Sequence, residues 1–144
     1  MPKSQRHFEI LPQDPGISLR AEGRTLQELF LYVLKGTAEC LKGDITVASP
    51  SSLPIRQEMR VEAVDIHSLL IEFLTAVISH SDIHSVVFTD VQFGKFGEDF
   101  LEAELAGIGV DSFDREIKAI SYEDVEIKKD PKTGRFEAIL TFEA

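Results

Sequence analysis

Two stretches of the chain repeat apolar residues every three or four positions, the spacing of one face of an α-helix. The first opens on the capping-box pattern Thr25-Leu26-Gln27-Glu28 and runs to about Leu41, with Gly43 as its stop. The second opens on Asp65, a residue type that caps helices, and its apolar stripe over residues 66–78 is the widest in the chain. The pattern predicts two helices that pack into a core.

Most of the remaining chain alternates apolar and polar residues, as half-buried strands do. Strands are predicted at residues 7–10, 17–21, 57–63, 86–93, 100–106 and 119–127, and from 136 onward. Residues 11–16 hold two prolines and a glycine, so we expect a rigid loop there, and residues 94–99 carry a hairpin signal. The alternation changes phase within 119–127, which predicts a bulge or bend near Glu123.

These elements indicate an α+β protein in which two helices pack on a mixed, largely antiparallel sheet. A length of 144 residues suits one compact domain, so we expect residues 1–144 to form a single domain. No apolar run approaches the ~20 residues of a membrane helix. The first ten residues also lack the apolar stretch of a secretory signal, so we expect a cytoplasmic protein without a membrane partner.

The charge balance argues against one class of partner. The chain has 25 acidic and 15 basic residues, a formal net charge of -10, whereas proteins that grip nucleic-acid phosphates cluster Lys and Arg. Direct nucleic-acid binding is therefore not expected. Lys95 is the one base among seven acids between Asp90 and Asp114, which predicts an acidic surface. The single cysteine, Cys40, lies at an apolar helical position, and we expect it to pack as a small hydrophobe.

Familiar enzyme motifs are absent: the chain has no Gly-rich phosphate loop, no G-x-S-x-G elbow and no spaced Cys/His set. A hydrolase or an NTPase is therefore disfavoured. Three carboxylates remain, those of Asp14, Glu143 and the terminal Ala144, and such oxygens hold Ca²⁺ or Mg²⁺ where they meet in space. His80-Ser81-Asp82-Ile83-His84 offers two histidines one helical turn apart, and is either a metal site or a polar helix end.

A lysine between apolar residues, close to the end of the sequence, carries a family resemblance. The run Lys118-Ala119-Ile120-Ser121-Tyr122 resembles the Lys-Ala-Val/Ile-Thr-Tyr-His run of the archease family, with Glu123 where the family has His. Asp14 and the glycine two residues after it match the family's His-Thr-Ala-Asp-Val/Ile-Gly loop. Glu143 replaces an Asp that precedes the family's hydrophobic terminus. The similarity covers nearly the whole chain in order and spacing.

The resemblance implies an archease-like elaborated strand-helix-strand-strand fold and a non-catalytic activator of the GTP-dependent tRNA-splicing RNA ligase. Such an activator promotes guanylylation of the ligase and its multiple turnover in tRNA splicing. The resemblance further implies that Asp14, Glu143 and Ala144 hold a divalent cation, Ca²⁺ or Mg²⁺. Lys118 and Glu123 would then contact the ligase or its nucleotide.

Two alternatives to ligase activation stay open. The family's histidines are missing from the loop around Asp14 and at Glu123, which favours a divergent archease-like interaction module that does not activate a ligase. A metal-dependent phosphoester hydrolase is the other alternative, and it would use Asp14 together with the cluster of His80, Asp82 and His84.

Overall fold

The computed structural model describes residues 8–12, 17–43, 54–117, 119–121 and 126–143. The elements are β1 (Phe8–Pro12), β2 (Ile17–Gly23), α1 (Leu26–Leu41), β3 (Ile55–Glu62), α2 (Ile66–His84), β4 (Val86–Phe96), β5 (Phe100–Gly109), β6 (Ala119–Ile120), β7 (Glu126–Lys129) and β8 (Phe136–Glu143). Two helices on antiparallel strands confirm the predicted α+β class.

The strands form two sheets. The larger follows the order β1-β2-β8-β6, with β7 also paired to β8, and the smaller follows the order β3-β5-β4. Every described pairing is antiparallel, so the parallel component expected of a mixed sheet is not found in the described ranges. The division into two sheets was not readable from the sequence, because both carry the same two-residue alternation.

Both helices begin at the predicted caps. The Thr25 hydroxyl accepts a hydrogen bond from the Glu28 backbone N–H at 3.0 Å, and the Glu28 carboxylate reaches back to the Arg24 N–H at 3.0 Å. The Asp65 carboxylate accepts from the Ser68 N–H at 2.8 Å. These bonds satisfy amide groups that the first helical turn leaves unpaired, which fixes where each helix starts.

Helix α1 packs against both sheets. On the five-stranded side, Gly36 approaches Leu19 of β2 so closely that a Cβ atom at residue 36 would lie 2.5 Å from Leu19 Cδ1. On the three-stranded side, the Phe30 ring packs edge-to-face on Phe93 and Phe96, with centroids 6.4 Å and 5.1 Å apart, and it also contacts Phe73 of α2. The buried residues of the two sides form one hydrophobic cluster around α1.

Helix α2 fills the core on its apolar side. Its 19 residues are long and apolar enough, by length and composition alone, to cross a membrane. Core helices of folded proteins pass the same test, and the stripe predicted from the sequence is buried here: Leu69, Leu70, Phe73, Leu74 and Val77 are all at most 1% exposed. The predicted apolar stripe is confirmed as buried, but the central position predicted for this helix belongs to α1, which packs against both sheets.

The strand bounds depart from the predictions at one proline and one glycine. Leu11 and Pro12 belong to β1 rather than to the loop, because β1 is an edge strand and a proline there removes no hydrogen bond from the sheet interior. Gly94 belongs to β4, where the register shifts between Phe93 and Lys95 and a bulge absorbs it. The predicted hairpin between β4 and β5 is therefore tighter than expected.

The register of the described strands changes between β6 and β7, on either side of the bulge or bend predicted near Glu123. Ile120 lies opposite Phe142, and Glu126 lies opposite Ile139. From Ile120 to Glu126 the chain advances by six residues, whereas the partner positions on β8 advance by only three, from Phe142 to Ile139. Three extra residues therefore separate β6 from β7 along the same edge of β8, with Glu123 itself outside the described residues.

Candidate functional site

One end of the five-stranded sheet is built from three neighbouring strands. Ile17, the first residue of β2, lies opposite Phe142 of β8, and Phe142 lies opposite Ile120 of β6. All three side chains are at most 6% exposed, so they form a rigid apolar row. One position further along β8, Glu143 lies opposite Ala119.

Most of the residues predicted for the site lie outside the described ranges: Asp14, Lys118, Glu123 and Ala144. Glu143 is described, and its side chain is exposed at the end of β8. Its carboxylate makes no ion pair with any described residue. An exposed carboxylate with no cationic neighbour in the described ranges remains available for a cation or a partner.

The segment that leads to residue 118 is tied to the ends of both helices. The Val110 N–H donates to the carbonyl of Ser85, the C-cap of α2, at 2.9 Å. The Asp114 N–H donates to the carbonyl of Leu41, the last residue of α1, at 2.8 Å. Ile117 is then buried at 7% exposure. These two hydrogen bonds and the burial of Ile117 therefore anchor the backbone as far as residue 117, the position before Lys118.

Asp114 adds a second tie, which sequence reasoning missed. Its carboxylate accepts the Gly43 N–H at 2.8 Å and approaches Lys42 Nζ at 3.5 Å. The backbone hydrogen bond from Gly43, helped by the positive charge of Lys42, lowers the pKa of Asp114. The contact joins residues more than seventy positions apart, so no local pattern in the sequence signals it.

A polar groove of about 660 Å³ runs between the last turns of α2 and this tethered segment. Arg115 contributes a cation to its lining, while Asp82 and Glu116 contribute carboxylates. The Ser81 hydroxyl, buried in the groove lining, has no hydrogen-bond partner among the described residues. Sequence reasoning missed this groove as well, because residues 79–82 and 115–117 meet only through the packing of the segment on α2.

The histidine cluster of α2 does not assemble a metal site. The rings of His80 and His84 stack with centroids 6.0 Å apart and planes 10° apart. In the described parts of the chain, no group of three His, Cys, Asp or Glu side chains is placed to hold a metal ion. The polar helix end is therefore the interpretation that the geometry favours, and the hydrolase alternative lacks its triad of His80, Asp82 and His84.

Cys40 behaves as the sequence predicts. The side chain is 2% exposed within the core, and burial raises the pKa of its thiol to about 11, against a smaller opposing effect of the nearby Arg115 charge. A thiol with this pKa is protonated at neutral pH, and the thiolate is the reactive form. Cys40 is therefore a packing residue.

Two of the seven acids between Asp90 and Asp114 lie on β5 beside arginines. Glu104 lies 3.4 Å from Arg56, and Glu102 lies 3.9 Å from Arg60, atom to atom between the charged groups. Both arginines come from β3, which pairs with β5 across the sheet. These two arginines were not foreseen because the acids were counted along the chain, whereas the arginines are their neighbours only in the sheet.

Sequence comparison decides the family. The profile described as the Archease protein family (MTH1598/TM1083) matches residues 8–141. The chain belongs to the archease family. The archease of Thermococcus gammatolerans is 31% identical over 140 residues, covering 92% of this chain and 95% of that protein. The archease of Pyrococcus furiosus is 30% identical over 145 residues, covering 94% and 96%.

Solved structures share the archease fold. The solution structure of protein 1598 from Methanobacterium thermoautotrophicum superposes with a TM-score of 0.70 at 19% identity, covering 97% of this chain and all of that one. The crystal structure of an archease from Thermotoga maritima, described as a possible chaperone, gives a TM-score of 0.64 at 14% identity, covering 94% and 96%. At these identities the likeness concerns the fold.

Proposed function

We propose that this archease is a single-domain, cytoplasmic, non-catalytic activator of a tRNA-splicing RNA ligase. It promotes guanylylation of the ligase and repeated turnover, and it acts through protein contact rather than by binding RNA. Family membership supports an activator or chaperone-like role. The net charge of -10 supports a protein partner over nucleic acid.

The observation that carries the proposal is the register at one end of the five-stranded sheet. Ile17, Phe142 and Ile120 stand side by side on three neighbouring strands. Asp14 precedes Ile17 by three residues in sequence, and Lys118 precedes Ile120 by two. The described backbone therefore brings the flanks of both family motifs to the end of the sheet that carries Glu143. We take this end of the sheet as the surface that meets the ligase.

A divalent cation, Ca²⁺ or Mg²⁺, belongs to this proposal, held by Asp14, Glu143 and the carboxylate of Ala144. The exposed Glu143 carboxylate, which no described cation neutralises, fits a site for a hard cation. When bound, the ion supplies positive charge for the acidic or phosphate groups of the ligase and its nucleotide. Glu143 in place of the family's Asp keeps the charge on a longer side chain.

Lys118 and Glu123 are the proposed contacts to the ligase or its nucleotide. Ile117 and Ile120, which lie on either side of Lys118 in the sequence, are both buried in the core. Glu123 carries a carboxylate where the family has His. We expect this exchange to change the partner preference of the surface more than its fold.

Multiple-turnover RNA joining tests the proposal. The cognate ligase is assayed with limiting enzyme, with and without this protein, and stimulation by the intact protein is the expected result. Asp14→Ala and Glu143→Gln should each reduce the stimulation at least about tenfold, the scale on which removing one charged contact acts. Glu126→Gln alters another exposed acid of the same sheet, one that lies beside Lys128, and as the control it should stimulate normally.

Absence of stimulation by the intact protein would contradict the ligase role. The alternative of an interaction module without ligase activation would then stand. The exchange of the family's His for Glu123 is the proposed cause of that loss. Glu123→His restores the family residue at that position. Gain of stimulation in this variant alone would show that the exchange at residue 123 had removed the activity.

A further inference from the structure

The three-stranded sheet has two edges that differ in how they are guarded. β4 is interrupted by register shifts between Phe88 and Asp90 and between Phe93 and Lys95, and Lys35 of α1 donates to the Thr89 carbonyl at 3.1 Å. Bulges and a lysine are ways in which proteins stop an edge strand from pairing further. β3 pairs with β5 over all eight of its residues without a shift. In the described ranges, no strand lies on its other side.

We propose that β3 is a homodimer interface, on which the β3 strand of a second copy pairs antiparallel about Met59. The two three-stranded sheets then join into one continuous sheet of six strands. This surface is separate from the end of the five-stranded sheet, so the inference does not depend on the ligase role.

One hydrogen bond shows which residues of β3 direct their backbone N–H and C=O groups away from β5. The Ala63 N–H donates to the carbonyl of Asp99 at 2.8 Å, so the odd-numbered residues of β3 direct their backbone groups toward β5. Backbone direction alternates along a strand. The N–H and C=O groups of Arg56, Glu58, Arg60 and Glu62 therefore point to the open edge rather than toward β5.

The charges on the same residues alternate in sign: Arg56, Glu58, Arg60, Glu62. Their side chains lie on the exposed face of the sheet. Antiparallel pairing about Met59 sets Glu58 opposite Arg60 of the second copy, and Arg56 opposite Glu62 of the second copy. By symmetry each pair occurs twice. Four opposite-charge pairs result, and no like-charge pair lies directly across the seam.

Moving the centre of the strand pairing from Met59 to a neighbouring residue replaces these opposite-charge pairs with like-charge pairs. Pairing about Glu58 would set Glu58 against itself and Arg56 against Arg60 of the second copy. Charges on an edge strand normally repel or solvate a neighbouring strand. Here the alternation is antisymmetric about Met59, so the same charges attract a second copy in one register and oppose it in the adjacent ones.

The dimer also places a cation where the single chain lacks one. Glu58 lies directly opposite Glu104 of β5, and Gln92 lies on the other side of Glu104. Like charges directly opposite each other destabilise a sheet. The Glu58 carboxylate makes no ion pair with the described residues, and Arg60 of the second copy would lie at its open side. The Glu58 carbonyl accepts from Gln57 Nε2 at 2.9 Å and retains a second lone pair for the incoming strand.

Charge exchange at two positions tests the pairing. Sedimentation velocity over a series of protein concentrations should show a reversible monomer–dimer equilibrium for the intact chain. Glu58→Arg alone and Arg60→Glu alone each convert two attractive pairs into two repulsive ones, so dimerisation should weaken about tenfold or more. The double variant restores opposite charges in the same register and should recover the dimer.

A second measurement does not depend on variants. Hydrogen–deuterium exchange at the Glu58 and Arg60 amides should slow as the protein concentration rises, while exchange at the Met59 amide, which faces β5, should not change. A chain that stays monomeric at all concentrations would overturn the proposal. So would a dimer that the single variants leave intact, or one that the double variant fails to recover.

Discussion

The two sheets of this archease use α1 in common but expose different features to solvent. The five-stranded sheet has a proline in its outer strand β1 and three extra residues between β6 and β7, so both of its edges are irregular. Its candidate function lies at the end of its strands. The three-stranded sheet has the regular edge β3 and a face of alternating charge. Sheet ends suit a shaped site, whereas a regular edge suits a second strand, so one small fold can carry two independent contacts.

The largest expected effect separates the two sheets through Phe30. Its ring packs on Phe93 and Phe96 of β4, on the three-stranded side of α1. Phe30→Ala should lower the free energy of unfolding by about 3–5 kcal/mol, because it leaves a cavity at a fully buried position. Hydrogen exchange should quicken in β4 and β5 more than in β2 and β8. Urea denaturation measures the first effect, and exchange mapped by peptide measures the second.

Ile83→Ala is the control for Phe30→Ala. Ile83 is an apolar residue of α2 that is 72% exposed, so its truncation should change stability by less than about 0.5 kcal/mol. Equal loss of protection in both sheets after Phe30→Ala would show that α1 couples them as one unit.

The next largest expected loss of stability concerns two glycines: Gly107 lies in the three-stranded sheet, and Gly36 of α1 packs on the five-stranded sheet. A Cβ atom at Gly107 of β5 would lie 2.5 Å from the Val87 carbonyl oxygen, and backbone of the neighbouring strand cannot move aside cheaply. Gly107→Ala should therefore cost about 1–3 kcal/mol. A Cβ at Gly36 meets only the end of the Leu19 side chain, and alanine gains about 1 kcal/mol of helix propensity over glycine.

Gly36→Ala should consequently cost less than Gly107→Ala, and thermal unfolding of the two variants measures the difference. The reverse order would mean that the contact of α1 with the five-stranded sheet is less able to adjust than the pairing within the three-stranded sheet.

The fold could be predicted from the sequence wherever the signal was local. Helix caps at Thr25 and Asp65 depend on neighbouring residues, and both were predicted correctly. Pro12 was misassigned because its tolerance depends on β1 being an edge strand, a property of the sheet order. The arginines that neutralise Glu102 and Glu104 were missed for the same reason.

The candidate site was predicted only as far as its family motifs reach. Glu143 is exposed as a ligand must be, and the flanks of Asp14 and Lys118 come to the same sheet end. The roles of Asp14, Lys118, Glu123 and Ala144 stay predictions. The tie from Asp114 to Gly43 was not predictable, because periodicity and local motifs carry no information about contacts between distant segments.

The N-terminal caps of the two helices should differ in how their contribution to stability depends on pH. A backbone hydrogen bond from Ser68 lowers the pKa of Asp65, so its stabilising contribution is present above the ordinary carboxyl pKa of about 4 and is lost as the pH falls through the folded value. The Thr25 cap does not titrate. Thr25→Ala should therefore lower the free energy of unfolding by about 1 kcal/mol at both pH 7 and pH 3.

Asp65→Ala should destabilise the protein at neutral pH and progressively less in acid, because acid removes the same interaction from the intact chain. Urea denaturation at a series of pH values measures both variants. A constant difference between Asp65→Ala and the intact chain down to strong acid would contradict the cap assignment.

The smallest expected effect compares the charged faces of the two sheets. Arg20 of the five-stranded sheet bridges Glu137 across the sheet and lies 3.9 Å from Glu22, whereas Arg60 of β3 approaches Glu62 at 3.7 Å and Glu102 at 3.9 Å and is more exposed. Exposed ion pairs contribute less than about 1 kcal/mol. Arg20→Met should therefore cost more than Arg60→Met, with both losses below that limit and reduced at about 1 M salt, where charges are screened within ~3 Å.

The comparison requires protein concentrations at which β3 is unpaired, since a dimer would add the contribution of Arg60 to the second copy. Urea denaturation at low and high protein concentration separates the two contributions. Arg20→Met should cost the same at both concentrations, whereas Arg60→Met should cost more at the high one. Equal costs for Arg60→Met at both concentrations would place all of its ion pairing within one chain and leave the edge of β3 without a partner.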